Sequence, residues 1–466
     1  MKEKRRADLP IYKLASSVKG TPLVERTRYN VRSEADVLLK QVRQHNEAFK
    51  GRGLKFLRSF VVNVSKIPEF ATVLKPIVRA LEGPTPFQDC VKASSMLLSQ
   101  KYDSAGEQFI ASQAALFVRK YPFEGSDALA RTRATQKFLR GERKNALMNR
   151  LMFRRRVEYL NPRSTIPEDD AILDNLVRKH VSRIIGERPN HRMAAKLTGW
   201  GPGANVGVSG QFTNFARKLL EEKWTVTRVA FPFVLSAAKR SPMFWELLGL
   251  TKVYPDSLGT ILCVDDVEFE RRLLARVVFV DHNEIAFVPK NADEHRTIAK
   301  EPLLNSWIQK GYDEVMRLSL RRYGIDLRYQ EPNQELARKG SLGGSNPYCT
   351  IDLRNASGSI AVEVPRTLCS QEWFEVCNCI RSPAYRMPGS DTSQRYSGFV
   401  SMGNGTCFPL QTTIFAAICA SAHELVGTTP DFRCYGDDII VRRDIAHVVL
   451  DLLRRYGFSA NPDKTF

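Results

Sequence analysis

The stretch Phe432-Arg-Cys-Tyr-Gly-Asp-Asp-Ile-Ile-Val441 constrains the fold of this chain more than any other. Two β-rich arms flank Gly436, a residue suited to a tight turn, so the segment reads as a hairpin with Tyr435-Gly436-Asp437-Asp438 at its tip. Adjacent carboxylates oppose joint ionisation, and a bound Mg²⁺ reverses that preference, so the pair points to a hard metal site. An ordinary Gly-Asp turn is the plain alternative, and the neighbouring segments must decide.

Tyr348-Cys-Thr-Ile-Asp-Leu353 ends an apolar strand with Asp352, which can face the hairpin and complete a three-carboxylate cluster. A strand-end cap is the competing role. Two Mg²⁺ ions roughly 3.5 to 4 Å apart, held by Asp352, Asp437 and Asp438, suit in-line nucleotidyl transfer: one activates a 3′-hydroxyl, the other stabilises the pyrophosphate leaving group. Upstream, the segment from Phe287 to Glu301 sets Lys290, Arg296 and Lys300 around an apolar strand. Three cations so placed neutralise a triphosphate, although each alone also serves as a solubilising surface charge. Between the carboxylate segments, Ser401-Met-Gly-Asn-Gly405 offers hydroxyl and amide donors to a ribose or template backbone, or else is a simple helix-entry loop.

Seventy Lys and Arg against fifty Asp and Glu leave a formal charge of +20, which favours polyanionic partners through counterion release. The nine cysteines lack zinc-ribbon spacing, and Cys369, Cys377 and Cys379 read as small core hydrophobes. No apolar run approaches the roughly 20 residues of a membrane helix, so a soluble protein of a reducing cytosol is expected. The Gly-rich Leu197–Gly210 segment lacks the Gly-Lys-Ser/Thr of a nucleotide-binding P-loop.

The pattern is helical to about Gly199. Within it, Arg131–Arg156 holds ten Lys or Arg and one Glu around Leu139, Leu147, Leu151 and Phe153, an amphipathic basic helix or helix pair. It serves as a solvated face or as a template-contacting one. Beyond Arg271 the runs ARVVFV and EIAFVPK, broken at Asp281-His282-Asn283, predict a hairpin. A strand over 348–353, helices over 371–381 and 410–426, the hairpin over 432–443 and a helix over 444–456 then give an α+β pattern.

Taken in order, VPKNADEHRTIAKEPLLN, YGIDLRYQEPNQELARKGSL, YCTIDLRNASGSI, SMGNG, YGDDIIV and NPDKTF resemble motifs F, A, B, C and D of the replicases of single-stranded RNA bacteriophages, the leviviruses. The resemblance implies a right-hand RNA-directed RNA polymerase using Mg²⁺ or Mn²⁺ and ribonucleoside triphosphates. Residues 1–270 would form a helical, basic N-terminal region and fingers, 271–345 a fingers segment with motif F, and 346–466 the palm, ending before an expected thumb. It implies metal ligation by Asp352, Asp437 and Asp438, triphosphate contacts by Lys290, Arg296 and Lys300, nucleotide or template contacts by Ser401, Gly403 and Asn404, and proton donation by Lys464. It also implies template and product RNA, host elongation factors Tu and Ts and a ribosomal protein as partners in the cytoplasm of an infected bacterium. Such replicases usually carry a further Asp, near the ribose, six residues after the first metal ligand; here that position is Gly358, which either shifts ribose selection to Asn355, Ser357, Ser401 or Asn404 or relaxes it. A non-catalytic RNA-binding protein and a reverse transcriptase are the rival readings; a preference for deoxyribonucleotides marks the latter.

Overall fold

The computed structural model describes residues 58, 61, 65 and, from 68 onward, all but 84, 103, 122, 124–125, 160–167, 211–212, 254–259, 263–265, 343–346, 463–464 and 466. It is a mixed α and β structure of two compact units, 1–135 with 287–296, and 136–286 with 297–466. The chain passes between the units at 135/136, 286/287 and 296/297.

In the first unit, α1 (Pro68–Glu82), α2 (Pro86–Ser99) and α3 (Ala105–Lys120) close on Ile77, Leu81, Cys90, Leu97, Ala111, Ala115 and Val118. Ser104 starts α3 by accepting the Glu107 N–H, which satisfies one of the free amides of the first turn.

α4 (Ser126–Tyr159) is one helix through the whole basic stretch. Its docking face is not the apolar one expected. Leu147, Leu151 and Phe153 are exposed, while Gly141, Asn145, Asn149 and Met152, spaced three or four apart, turn inward. Asn145 donates to the Gly358 carbonyl at 2.9 Å, Asn149 donates to that of Ser397 at 2.9 Å, and Glu142 accepts the Ser397 N–H at 2.6 Å. Small polar residues let α4 approach backbone closely, so hydrogen bonds replace apolar burial as its anchor.

The second unit's core surrounds α9 (Cys407–Val426), which packs on α5 (Glu168–Ile185) and α6 (Leu303–Tyr323). β1 (Trp224–Val226) pairs in parallel with β2 (Val277–Phe279), whereas β3 (His282–Pro289) joins β4 (His295–Lys300) in another sheet. The hairpin expected across Asp281 is therefore not formed. β2 is drawn off by the fully buried Trp224 and Val226, and the short break at Val280-Asp281 switches sheets.

Further on, α7 (Glu331–Ser341) precedes β5 (Tyr348–Ile351), and α8 (Gln371–Ile380) precedes β6 (Ala384–Arg386) and β7 (Ser393–Arg395), which complete the sheet β4-β3-β6-β7. α9 (Cys407–Val426) is apolar around nearly its whole circumference and buried from Leu410 to His423, as a central helix must be. β8 (Phe432–Tyr435), β9 (Asp438–Arg442) and β5 form an antiparallel sheet with β9 in the middle, and α10 (Ala446–Arg455) packs on α9.

Candidate active site

Tyr435 pairs with Asp438 across a two-residue turn of Gly436 and Asp437. Gly436 has φ +64°, and a Cβ there would lie 2.4 Å from Cε2 of Phe408, so conformation and space both require glycine. Its N–H donates to the Thr412 hydroxyl of α9 at 3.1 Å. The turn is thus seated on the central helix, and Asp437 and Asp438 stand exposed at its tip.

On the other edge of β9, Ile439 pairs with Ile351, and continuing the register by one residue brings Asp352 level with Asp438. Asn461 fastens Asp352 twice, donating its N–H to the Asp352 carbonyl at 2.8 Å and its amide to the carboxylate at 3.1 Å. Gln330 donates to the Asp438 carboxylate at 3.0 Å, and Asn333 to the Asp438 carbonyl at 3.2 Å, so the start of α7 braces the hairpin. These three amides carry no charge or periodicity signal, and sequence reasoning missed them.

The first turn of α9 lies between the two carboxylate segments. Burial pushes the Cys407 thiol up to about 12, the Asp437 charge adds to the effect, and the Ser357 hydroxyl is hydrogen-bonded to it. Just before it, Gly403 has φ +114°, and a Cβ there would lie 2.1 Å from the Ala299 carbonyl oxygen. The Met402 carbonyl accepts the Ala299 N–H at 2.7 Å, so the loop lies flat against β4. Asn404 is 6 % exposed, and its carbonyl oxygen accepts from the N–H and hydroxyl of Thr406 at 2.9 and 2.8 Å. That oxygen is committed to the entry of α9. The Ser401 hydroxyl bonds the Tyr396 phenol.

Of the three cations, Lys300 belongs to the second unit and stands 3.8 Å from Glu284. Lys290 and Arg296 belong to the first, where Lys290 pairs with Glu294 at 2.9 Å and Arg296 is exposed. Lys464 lies outside the described residues. Asn355 adopts φ +56°, and its amide atoms lie 2.5 and 2.6 Å from where a Cβ on residue 358 would be. Glycine at 358 is what lets this side chain lie there.

Among the described residues no three His, Cys, Asp or Glu side chains are grouped so that they could hold a metal ion, so the three-carboxylate cluster expected of Asp352, Asp437 and Asp438 is not assembled here. The donor chemistry nevertheless fits a hard divalent cation. Carboxylates on neighbouring strands and a turn supply oxygen ligands, and Mg²⁺ commonly completes its shell with water and phosphate oxygens.

Residues 88–466 match the family described as "RNA replicase, beta-chain". The chain belongs to this family. Among its relatives, the RNA-directed RNA polymerase subunit beta of Enterobacteria phage SP is 40% identical over 185 residues, 40% of this chain and 32% of the relative. The corresponding beta chain of Escherichia phage MS2 is 40% identical over 184 residues, 40% of this chain and 33% of the relative. That of Enterobacteria phage GA is 38% identical over 242 residues, 52% and 41% respectively. Membership agrees with the levivirus resemblance of the motifs. The matches span about a third of the length of the SP and MS2 relatives. A solved RNA-dependent RNA polymerase of a human picorbirnavirus aligns with TM-score 0.34 and 14% identity over 75% of this chain and 70% of its own. No helix among the described residues is long and apolar enough to cross a membrane.

Proposed function

We propose that this chain carries the fingers and palm of a right-hand RNA-directed RNA polymerase that replicates a phage genome from ribonucleoside triphosphates. The observation that carries the reading is the register of the central sheet, which brings Asp352 level with the Asp437-Asp438 turn. Asp352, Asp437 and Asp438 would hold divalent cations, Mg²⁺ or Mn²⁺, which supply charge neutralisation at the transferring phosphoryl group and activation of the 3′-hydroxyl.

The chain's own residues set the geometry. Thr412 fixes the turn through the Gly436 amide, Asn461 orients the Asp352 carboxylate and Gln330 that of Asp438. Gly403 keeps the Ser401–Gly405 loop close to β4, whose terminal Lys300 is a counter-charge for a triphosphate. Ser401 and Gly403 contact the nucleotide or template in this reading, Lys290 and Arg296 add triphosphate charge, and Lys464 donates a proton to the departing pyrophosphate. Template and product RNA are drawn by the excess of basic charge. Host elongation factors Tu and Ts and a ribosomal protein extend the same reading to an assembly in the infected bacterium.

The test is incorporation of labelled ribonucleotides on an RNA template with Mg²⁺, alongside deoxyribonucleotides and an EDTA control. Template-dependent, EDTA-sensitive ribonucleotide incorporation is expected. RNA binding without synthesis under any metal would favour a non-catalytic binding protein.

A further inference from the structure

Directly after Lys300, Glu301 is 2 % exposed and sits inside a polar knot that the functional reading does not use. One carboxylate oxygen accepts from the Asn283 amide at 2.7 Å; the other accepts from the Gln309 amide at 3.0 Å and the Ser382 hydroxyl at 2.9 Å. Both amides lead onward to the same loop. The Gln309 carbonyl accepts the Gly405 N–H at 2.9 Å. The Asn283 carbonyl accepts from the Tyr396 phenol at 2.8 Å, and Tyr396 bonds the Ser401 hydroxyl.

We infer that Glu301 is a positioning residue that holds both ends of the Ser401–Gly405 loop through two hydrogen-bonded arms, Gln309 to Gly405 and Asn283-Tyr396 to Ser401. The polarity of the Gln309 arm is determined at its far end. A backbone N–H can only donate, so Gln309 must turn its carbonyl to Gly405 and its NH₂ to residue 301. Asn283 accepts from Tyr396 and likewise presents NH₂. Residue 301 therefore faces amide donors from two directions, and a carboxylate accepts from both. This explains an acidic side chain in a place where burial pushes its pKa up and where the buried Arg381 supplies favourable charge. Between these residues there is no room for a water to substitute as acceptor.

The inference rests on the loop's proposed role in nucleotide contact, but its test does not require synthesis. Glu301→Met keeps the length and takes the acceptor oxygens away from both arms. The double variant Glu301→Gln with Asn283→Asp restores both bonds of the Asn283 arm, because the new carboxylate accepts from Tyr396 and from the amide introduced at 301, whose oxygen still accepts from Gln309 and Ser382. Hydrogen–deuterium exchange of segment 399–406 is measured for all three forms. The single variant should exchange there roughly tenfold faster or more, the loss of at least about one buried hydrogen bond, with α1 to α3 unchanged, and the double variant should return toward the parent. Unaltered exchange in the single variant, an increase spread evenly over the second unit, or no recovery in the double variant would each overturn the inference. In parallel, the single variant should raise the nucleotide KM more than it lowers kcat. Loop loosening without any KM change would count against the loop's role in nucleotide contact, while leaving the positioning intact.

Discussion

Gly358→Ala should destabilise the protein, and Asn355→Gly should remove most of that cost. The new methyl would lie 2.5 Å from the Asn355 amide nitrogen and 2.6 Å from its oxygen, closer than packed atoms tolerate, so the Asn355 side chain must swing away. It has little space on the other side, where Gly141 of α4 lies with a would-be Cβ 3.1 Å from the same nitrogen. Overpacking of this kind costs about 1 to 3 kcal/mol. Asn355 is at φ +56°, a conformation glycine adopts without strain, so Asn355→Gly alone should cost less than about 1 kcal/mol. A double-mutant cycle read by urea unfolding should then give a coupling of about 1 to 2 kcal/mol, the double variant being more stable than the sum of the singles. Additive effects would mean that Asn355 does not occupy the space beside residue 358, and the explanation of Gly358 would fall.

Replacing Arg140, Arg143, Arg150 and Arg154 with Gln removes four exposed cations spaced over about 21 Å of α4. If single-stranded RNA lies along this face, the slope of log affinity against log salt should fall by about 2.8, roughly 0.7 per phosphate lost, in fluorescence anisotropy; an unchanged slope places the RNA elsewhere. Lys218, 1 % exposed, donates to the carbonyls of Gly201 and Gly203, and burial lowers its pKa to about 8 from 10.5. Between those values the unfolded chain holds a proton that the native one has released, so this group's contribution to stability rises with pH. Relative to Lys218→Met, the parent should therefore gain on the order of 2 to 3 kcal/mol from pH 8 to above 10.5 in chemical denaturation, and a flat difference would contradict the burial argument.

The β8-β9 hairpin, β5, α8, α9 and α10 were legible because period-two and helical patterns coincide there with clear breaks: Gly427 ends α9 in the left-handed conformation, and Gly436 makes the turn. What the sequence concealed is contact between distant segments. Nothing local distinguishes β2 followed by β3 from a hairpin, since the choice depends on Trp224 and Val226 some fifty residues upstream. The docking face of α4 was misread because its apolar residues are outside and its Gly and Asn residues inside, the reverse of the usual stripe. The carboxylates themselves were visible, as charges at strand ends; Asn461, Gln330 and Asn333, which orient them, are uncharged amides whose role exists only in three dimensions.

The central claim is that Asp352 and the Asp437-Asp438 turn form one nucleotidyl-transfer site. It is tested most directly by Mg²⁺-dependent RNA-templated synthesis in the parent chain, Asp437→Ala and Asp352→Asn, with RNA affinity measured in parallel. The account predicts that both variants lose synthesis by about a hundredfold or more while RNA affinity stays within about twofold. Undiminished synthesis in either variant would show that its carboxylate is not part of the reacting centre.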